Sequence, residues 1–273
     1  MNRFVQQTNA GNDFLGRLRA GKPTLILGVR GARTTDIVRV AHSTGHHAIL
    51  VDLEHSTMSL DVAAGLCTAA ADLGLMPMVR TPERDYGSIG RLLDGGALGL
   101  VAPRIETAEE ARTIVGACRF PPRGQRSQLA SVPALGMRPT PGAVLNPTLD
   151  AATVVQIIVE TPLGVDNSDA IAAVDGVDML TLGANDLTAE LGIAGQFDHP
   201  LVREAAGTVA KACANHGKLF MVAGISDPVL FASLAQLGAC RAFVTGMDTD
   251  LLFGAVQSRA DAVLQSLSEE SPA

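Results

Sequence analysis

A chain of 273 residues, 47% of them apolar, is long enough for one large or two small domains and can bury a substantial core, which excludes a disordered chain. With 21 Lys+Arg against 28 Asp+Glu the formal net charge is −7, and 8 Phe, 1 Tyr and no Trp leave little to stack on bases. The composition argues against binding to a nucleic-acid backbone.

The N-terminal stretch MNRFVQQTNAGNDFLGRL has no apolar core of the kind a secretory leader carries, so a cytoplasmic protein is expected. Cys67, Cys118, Cys213 and Cys240 lie far apart and form no CxxC pair, which predicts reduced thiols rather than a zinc cluster or a disulfide framework. Residues 60–79 come nearest to a membrane span. They carry Asp61, Asp72 and Pro77, however, and read as a helix followed by a strand.

Along the chain, short apolar runs alternate with helical patterns. The runs are 23–29 (PTLILGV), 48–53 (AILVDL), 77–80 (PMVR), 99–103 (GLVAP), 154–160 (VVQIIVE), 179–183 (MLTLG), 219–223 (LFMVA) and 242–246 (AFVTG). Helical stretches fall at 59–74, 108–118, 200–216 and 228–238, several of them ending on Gly as a C-terminal cap does. Near-continuously apolar strands alternating with helices imply a parallel sheet covered on both faces. Eight such units in this length predict a single (β/α)8 TIM barrel, with a doubly wound sheet as the competing arrangement.

One connection breaks the rhythm. Residues 120–153 hold Pro121, Pro122, Pro133, Pro139, Pro141 and Pro147 with Arg123, Arg126 and Arg138, and predict a long Pro/Arg-rich loop region with a functional or interface role. Residues 249–268 read as a last amphipathic helix, with 269–273 fraying beyond it.

In such a barrel the chemistry sits at the carboxyl ends of the strands. Read in order, those ends carry Asp52, Glu54 and His55, then Arg80, Arg104, Glu160, Asn185 and Asp186, and Asp248. Charged groups closing apolar strands need partners, because burying them unpaired is costly. Carboxylates, one His and one Arg on one face are the ingredients of a metal-assisted acid–base site. Asp248 reads instead as a cap, as does Thr107 ahead of AEEAR. His42, His46, His47, His199 and His216 read as structural.

These residues carry a resemblance. LVDLEHS (50–56), MVRTP (78–82), LLDGGALGLVAPRIETAEEA (92–111), FPPRGQRS (120–127), VETPLGVDNSDAIAAVDGVD (159–178), LGANDLTAELG (182–192) and VTGMDTDLL (244–252) resemble, in order over about residues 22–255, the HpcH/HpaI aldolase/citrate lyase family. The resemblance implies a barrel of the phosphoenolpyruvate/pyruvate type, a homohexamer, and a divalent cation, Mg2+, Mn2+ or Co2+. It implies a class II pyruvate aldolase that reversibly cleaves a 4-hydroxy-2-oxo acid to pyruvate and an aldehyde through a pyruvate enolate on the metal. Carried over by position, Glu160 and Asp186 match the metal ligands and Arg80 the arginine beside the enolate oxygen. His55 matches the base and Asp94 its carboxylate partner, acting within one subunit or across an interface.

Two carboxylates leave coordination positions open for a chelating 2-oxo acid, and the absence of Lys at these strand ends fits an enolate on a metal better than a Schiff base. The backbone N–H groups of Gly183, Ala184 and Asn185, opening the following helix, are expected to hold the substrate carboxylate, while Arg80 binds the substrate at its enolate oxygen. Asp52 and Glu54 are expected to orient Arg80 or metal-bound water.

Three positions depart from the family pattern. Ile158 stands where Gln is usual, Gly183-Ala184-Asn185-Asp186 where Gly-Pro-Ala-Asp is usual, and Ser127 where Gly is usual beside the retained Arg126. Both metal carboxylates are kept, so the departures bear on substrate and outcome. They leave open a related carbon–carbon lyase, synthase or decarboxylase acting on oxaloacetate, like a citrate synthase or macrophomate synthase, and a catalytically silent oxo-acid-binding barrel. A thioester-dependent lyase of the citrate-lyase branch is disfavoured by the short chain and by LVDLEHS.

Overall fold

In a computed structural model describing residues 3–269, each apolar run forms a strand. The strands are β1 (Thr24–Val29), β2 (Ala48–Asp52), β3 (Met76–Arg80), β4 (Gly99–Ala102), β5 (Val154–Val159), β6 (Met179–Gly183), β7 (Leu219–Ala223) and β8 (Ala242–Met247). They lie parallel in the order β7-β6-β5-β4-β3-β2-β1-β8, the wrap-around order of a (β/α)8 barrel rather than the reversing order of a doubly wound sheet. At the seam between β7 and β8, the Cys240 N–H donates to Phe220 O at 2.7 Å, and no strand ladder joins the two among the described residues.

Alternation along each strand divides the apolar side chains between two clusters. One set, including Leu27, Val51, Val79, Leu100, Ile157 and Leu182, packs outward under the helices. The other, including Ile26, Met78, Val101, Ile158, Met179 and Met221, fills the barrel interior. Phe14, Leu15 and Leu18 of the helix Arg3–Arg19 join the interior cluster and close the barrel at the N-terminal ends of its strands.

The helix Ala108–Cys118 matches its expected bounds and begins in a reciprocal cap: Thr107 Oγ1 accepts from the Glu110 N–H, and the Glu110 carboxylate from the Thr107 N–H. The expected loop at 120–153 is only partly loop. It contains a short 3-10 turn, Pro133–Leu135, and the helix Gly142–Ala152 with Pro147 inside it. Leu145, Leu149 and Ala152 of that helix are buried in the interior cluster, and this burial outweighs the one hydrogen bond a mid-helix proline forfeits. The segment therefore lies with the Arg3–Arg19 helix at the closed end of the barrel, away from the strand ends that carry the candidate site.

His46 and His47 at the foot of β2 serve packing: His46 Nε2 meets Thr245 Oγ1 at 2.8 Å, and His47 Nδ1 accepts from the Leu25 N–H. His199 caps the helix Pro200–Asn215, and His216 meets Asp169 at 3.2 Å. The chain ends in the helix Asp248–Glu269, and residues 270–273, part of the tail expected to fray, lie outside the described residues. Leu252, Phe253, Val256, Leu264 and Leu267 of this helix are exposed, with Phe253 at 69%. No helix among the described residues is long and apolar enough to cross a membrane.

Candidate active site

The register between β2 and β3 places Asp52 directly beside Arg80. Asp52, 0% exposed, takes Arg80 Nε on Oδ1 at 3.0 Å and Arg80 Nη2 on Oδ2 at 2.7 Å, a bidentate pair with a fixed plane. Asp52 Oδ1 also accepts from the backbone N–H groups of Glu54 and His55, which shapes the turn after β2. Burial alone would raise the Asp52 carboxyl, but the guanidinium and these N–H groups outweigh it and hold it below the usual range.

The remaining face of Arg80 meets Glu54: Nη1 lies 3.1 Å from Oε2. The same Glu54 oxygen is 3.7 Å from His55 Nε2, so within the subunit the carboxylate facing His55 is Glu54. Burial raises the Glu54 carboxyl above its ordinary value, against the pull of Arg80 and His55. The His55 side chain is 55% exposed and stands at the open mouth.

Glu160, directly after β5, is 4% exposed, and Oε1 accepts from the Arg104 N–H at 2.7 Å. Arg104 presents that N–H from a left-handed conformation (φ 51°). Burial first, and the negative charge of Asp186 second, push the Glu160 carboxyl up to about 7. A buried acid raised by burial and by a neighbouring carboxylate inside a mouth is a latent cation site, because a cation relieves both the burial and the repulsion. The donor set is all oxygen and suits a hard divalent ion that keeps water or substrate in its other positions. Among the described residues no cluster of three or more His, Cys, Asp or Glu forms, so a cation here would rest on these two carboxylates.

The chain after β6 leaves no room for error. A Cβ at Gly183 would stand 2.4 Å from Glu160 Oε2 and 3.0 Å from Ile158 Cγ2, so a larger residue would displace the carboxylate. Ala184 is buried behind it, while Asn185 and Asp186 are exposed towards the mouth. Gly224 (φ 83°), just past β7, packs flush against the Asn185 amide: a Cβ there would meet Asn185 Nδ2 at 2.9 Å. Ile158, one inward-facing step below Glu160, is buried and makes the floor beneath the carboxylate apolar.

Of the expected residues, Asp52, Glu54, His55 and Arg80 form one contacting group, and Glu160 and Asp186 interact beside it. Asp94 is not among them. It ends the helix Ile89–Asp94, which runs back towards the foot of β4, and its Oδ1 accepts from Arg126 Nη2 at 2.8 Å. Arg126 is itself buried and stacks over Phe120, 4.6 Å from the ring centroid, in the segment at the closed end. The loop after β1 is held from the far end of the chain. Asp248 Oδ1 accepts from the Arg30 N–H and Gly31 N–H, and Oδ2 from the Gly31 N–H and Ala32 N–H, at 2.6–3.1 Å. Asp248 is thus a cap as expected, but for a loop some 217 residues away along the chain.

Comparisons with known proteins find relatives over most of the chain. The family model described as HpcH/HpaI aldolase/citrate lyase matches residues 29–263. A 4-hydroxy-4-methyl-2-oxoglutarate aldolase of Hapsidospora irregularis is 39% identical over 216 residues, 78% of this chain and 80% of that protein. A hydroxypyruvate/pyruvate aldolase of Roseobacter denitrificans is 34% identical over 220 residues, 80% of this chain and 84% of that protein. Among solved structures, an HpcH/HpaI aldolase from Desulfitobacterium hafniense superposes with a TM-score of 0.83 at 28% identity, over 94% of this chain and 96% of that one. The chain belongs to the HpcH/HpaI aldolase/citrate lyase family.

Proposed function

We propose that the protein is a divalent-metal-dependent aldolase that reversibly cleaves a 4-hydroxy-2-oxo acid to pyruvate and a carbonyl acceptor. The observation that carries this reading is the pairing of Glu160 and Asp186 beside the Asp52–Arg80–Glu54–His55 group at the open mouth. Glu160 and Asp186 would hold the cation, Mg2+ or Mn2+, which when bound supplies the Lewis acidity that polarises a 2-oxo group. Arg80, locked in plane by Asp52, offers its charge to the oxygen that becomes negative as the C3–C4 bond breaks and the pyruvate enolate forms, which takes a proton at C3 to leave as pyruvate. His55 takes the proton of the C4 hydroxyl, with the Glu54 carboxylate 3.7 Å from its Nε2. In the reverse direction the same group returns the proton to the new alkoxide.

The reading is tested by NMR exchange of pyruvate methyl protons with deuterium. Exchange is expected with Mn2+ or Mg2+ and is expected to stop with excess chelator; exchange that survives the chelator would overturn it.

The assembly is a homo-oligomer in this reading, and the hexamer of the family is its natural form. The apolar face of the terminal helix, with Leu252, Phe253, Val256 and Leu264 open to solvent, is what a neighbouring copy would cover. A groove of about 410 Å3 lined by Leu25, Phe231 and Phe243 lies open beside β1 and β8. Asp94, held by Arg126 away from His55 of its own subunit, would reach a histidine only in such a neighbour. The double substitution F253E/L264E is expected to reduce the mass read by light scattering to that of a smaller species, and an unchanged mass would count against this face as the interface.

A cytoplasmic location fits the thiols. All four cysteines are free and buried, and burial pushes Cys67, Cys118 and Cys213 up to about 12 and Cys240 to about 11.

A further inference from the structure

The mouth of the barrel carries several arginines, and among the described residues Arg80, Arg30, Arg84 and Arg104 are matched by acids while Arg33 is not. Arg80 pairs with Asp52 and Glu54, Arg30 with Asp250, Arg84 with Glu83 and Glu110, and Arg104 with Glu190. Arg33, in the loop after β1, makes no ion pair among the described residues and is exposed. Its Nη1 donates to the carbonyls of Arg30, Gly31 and Ala32 at 2.9, 2.8 and 3.3 Å, so one arm of the guanidinium is tied to its own loop. The other arm points across the rim: Nη2 stands 3.5 Å from Thr57 Oγ1, two residues beyond His55.

The loop that carries Arg33 is itself held in place. Asp248 takes the N–H groups of Arg30, Gly31 and Ala32, and a Cβ at Gly31 would lie 2.5 Å from Thr249 Cγ2. An arginine on a pinned loop, with Nε and Nη2 free of any acid among the described residues and Nη2 reaching Thr57, two residues along the chain from His55, is arranged to grip a carboxylate with little ordering cost.

We propose that Arg33 is a specificity-determining residue that binds the distal carboxylate of a dicarboxylic 4-hydroxy-2-oxo acid, so that the acceptor released on cleavage is itself a 2-oxo acid. This rests on the aldolase reading of the site. The substrate's two ends are then held separately, the 2-oxo acid end by the Glu160–Asp186 region and Arg80, the distal carboxylate borne on C4 by Arg33, with the C4 hydroxyl between them facing His55. Substrates that release a neutral aldehyde lack the group Arg33 would hold.

The test compares cleavage of 4-hydroxy-2-oxoglutarate, which releases glyoxylate, with cleavage of 4-hydroxy-2-oxopentanoate, which releases acetaldehyde, in wild type, Arg33→Gln and Arg33→Lys. Gln keeps a donor for the loop carbonyls but no charge, and Lys keeps the charge without the fork. In Arg33→Gln, kcat/KM for the dicarboxylate is expected to fall roughly 10- to 100-fold, mostly through KM, with the neutral substrate changed by less than about threefold. Arg33→Lys should recover part of the discrimination, and pyruvate methyl exchange should stay at the wild-type rate in both variants. Equal losses on the two substrates, or no loss on either, would overturn the role of Arg33. Failure of methyl exchange in the wild type itself would overturn the aldolase reading, and the proposal with it.

Discussion

Glu160→Gln is expected to abolish metal-dependent exchange of the pyruvate methyl protons and, in the same molecule, to stabilise the metal-free protein. The loss should exceed the roughly 100-fold typical of removing an outer-shell partner of a metal, because a ligand itself is gone. The gain has a separate origin. Glu160 is almost fully buried beside Asp186, and its carboxyl is pushed up to about 7 from an ordinary carboxylate value. An acid with a raised folded pKa binds more protons folded than unfolded, so stability is lost as pH rises from the unfolded value through about 7. The penalty above that window is on the order of 3 kcal/mol at most. The amide carries no charge, and its oxygen can still accept from the Arg104 N–H. Thermal melts of the chelated protein between pH 5 and about pH 8 should therefore show a steeper fall for wild type than for Glu160→Gln. Parallel curves would remove the argument that burial and the Asp186 charge raise the Glu160 carboxyl.

The second large effect is expected at Arg80. Arg80→Leu leaves the fully buried Asp52 carboxylate with two backbone N–H groups and no cation. Breaking one side of such a pair costs about 3–5 kcal/mol, which for a chain of this length lowers Tm by roughly 10 °C. Loss of the charge from the developing enolate oxygen should lower kcat by about 100- to 1000-fold. The double variant Asp52→Leu/Arg80→Leu separates the two effects. A buried ion pair replaced by apolar groups is often close to neutral, so much of the Tm should return while activity stays lost. Recovery of activity together with Tm would show that Arg80 matters only for folding.

The chemistry at the mouth reads unevenly from the sequence, and the differences have physical causes. Glu160 and Asp186 stand at strand ends, where an apolar run stops on a charge, and that contrast is local. Asp52 and Arg80 are legible in the same way, and their pairing follows once parallel strands are placed side by side. Arg33 has no such signal: it sits in a loop, and its distinction is that, among the described residues, other arginines at the mouth are paired with acids and it is not. The helix Gly142–Ala152 was hidden because Pro147 and the prolines around it read as loop, whereas burial of Leu145 and Leu149 against the barrel's closed end decides the matter.

A length of 273 residues and a net charge of −7 allowed one large or two small domains with an acidic balance. The repeating pattern of apolar runs and helices by itself determined eight strands and their parallel arrangement, because backbone periodicity and strand burial act over a few residues at a time. Only the tertiary structure decided which charges meet. Closing the barrel brings Asp248 of β8's end onto the loop after β1, and it carries Asp94 to Arg126 and away from His55. Contacts between residues tens to hundreds of positions apart depend on how elements pack and where the chain crosses, and no local spacing encodes them.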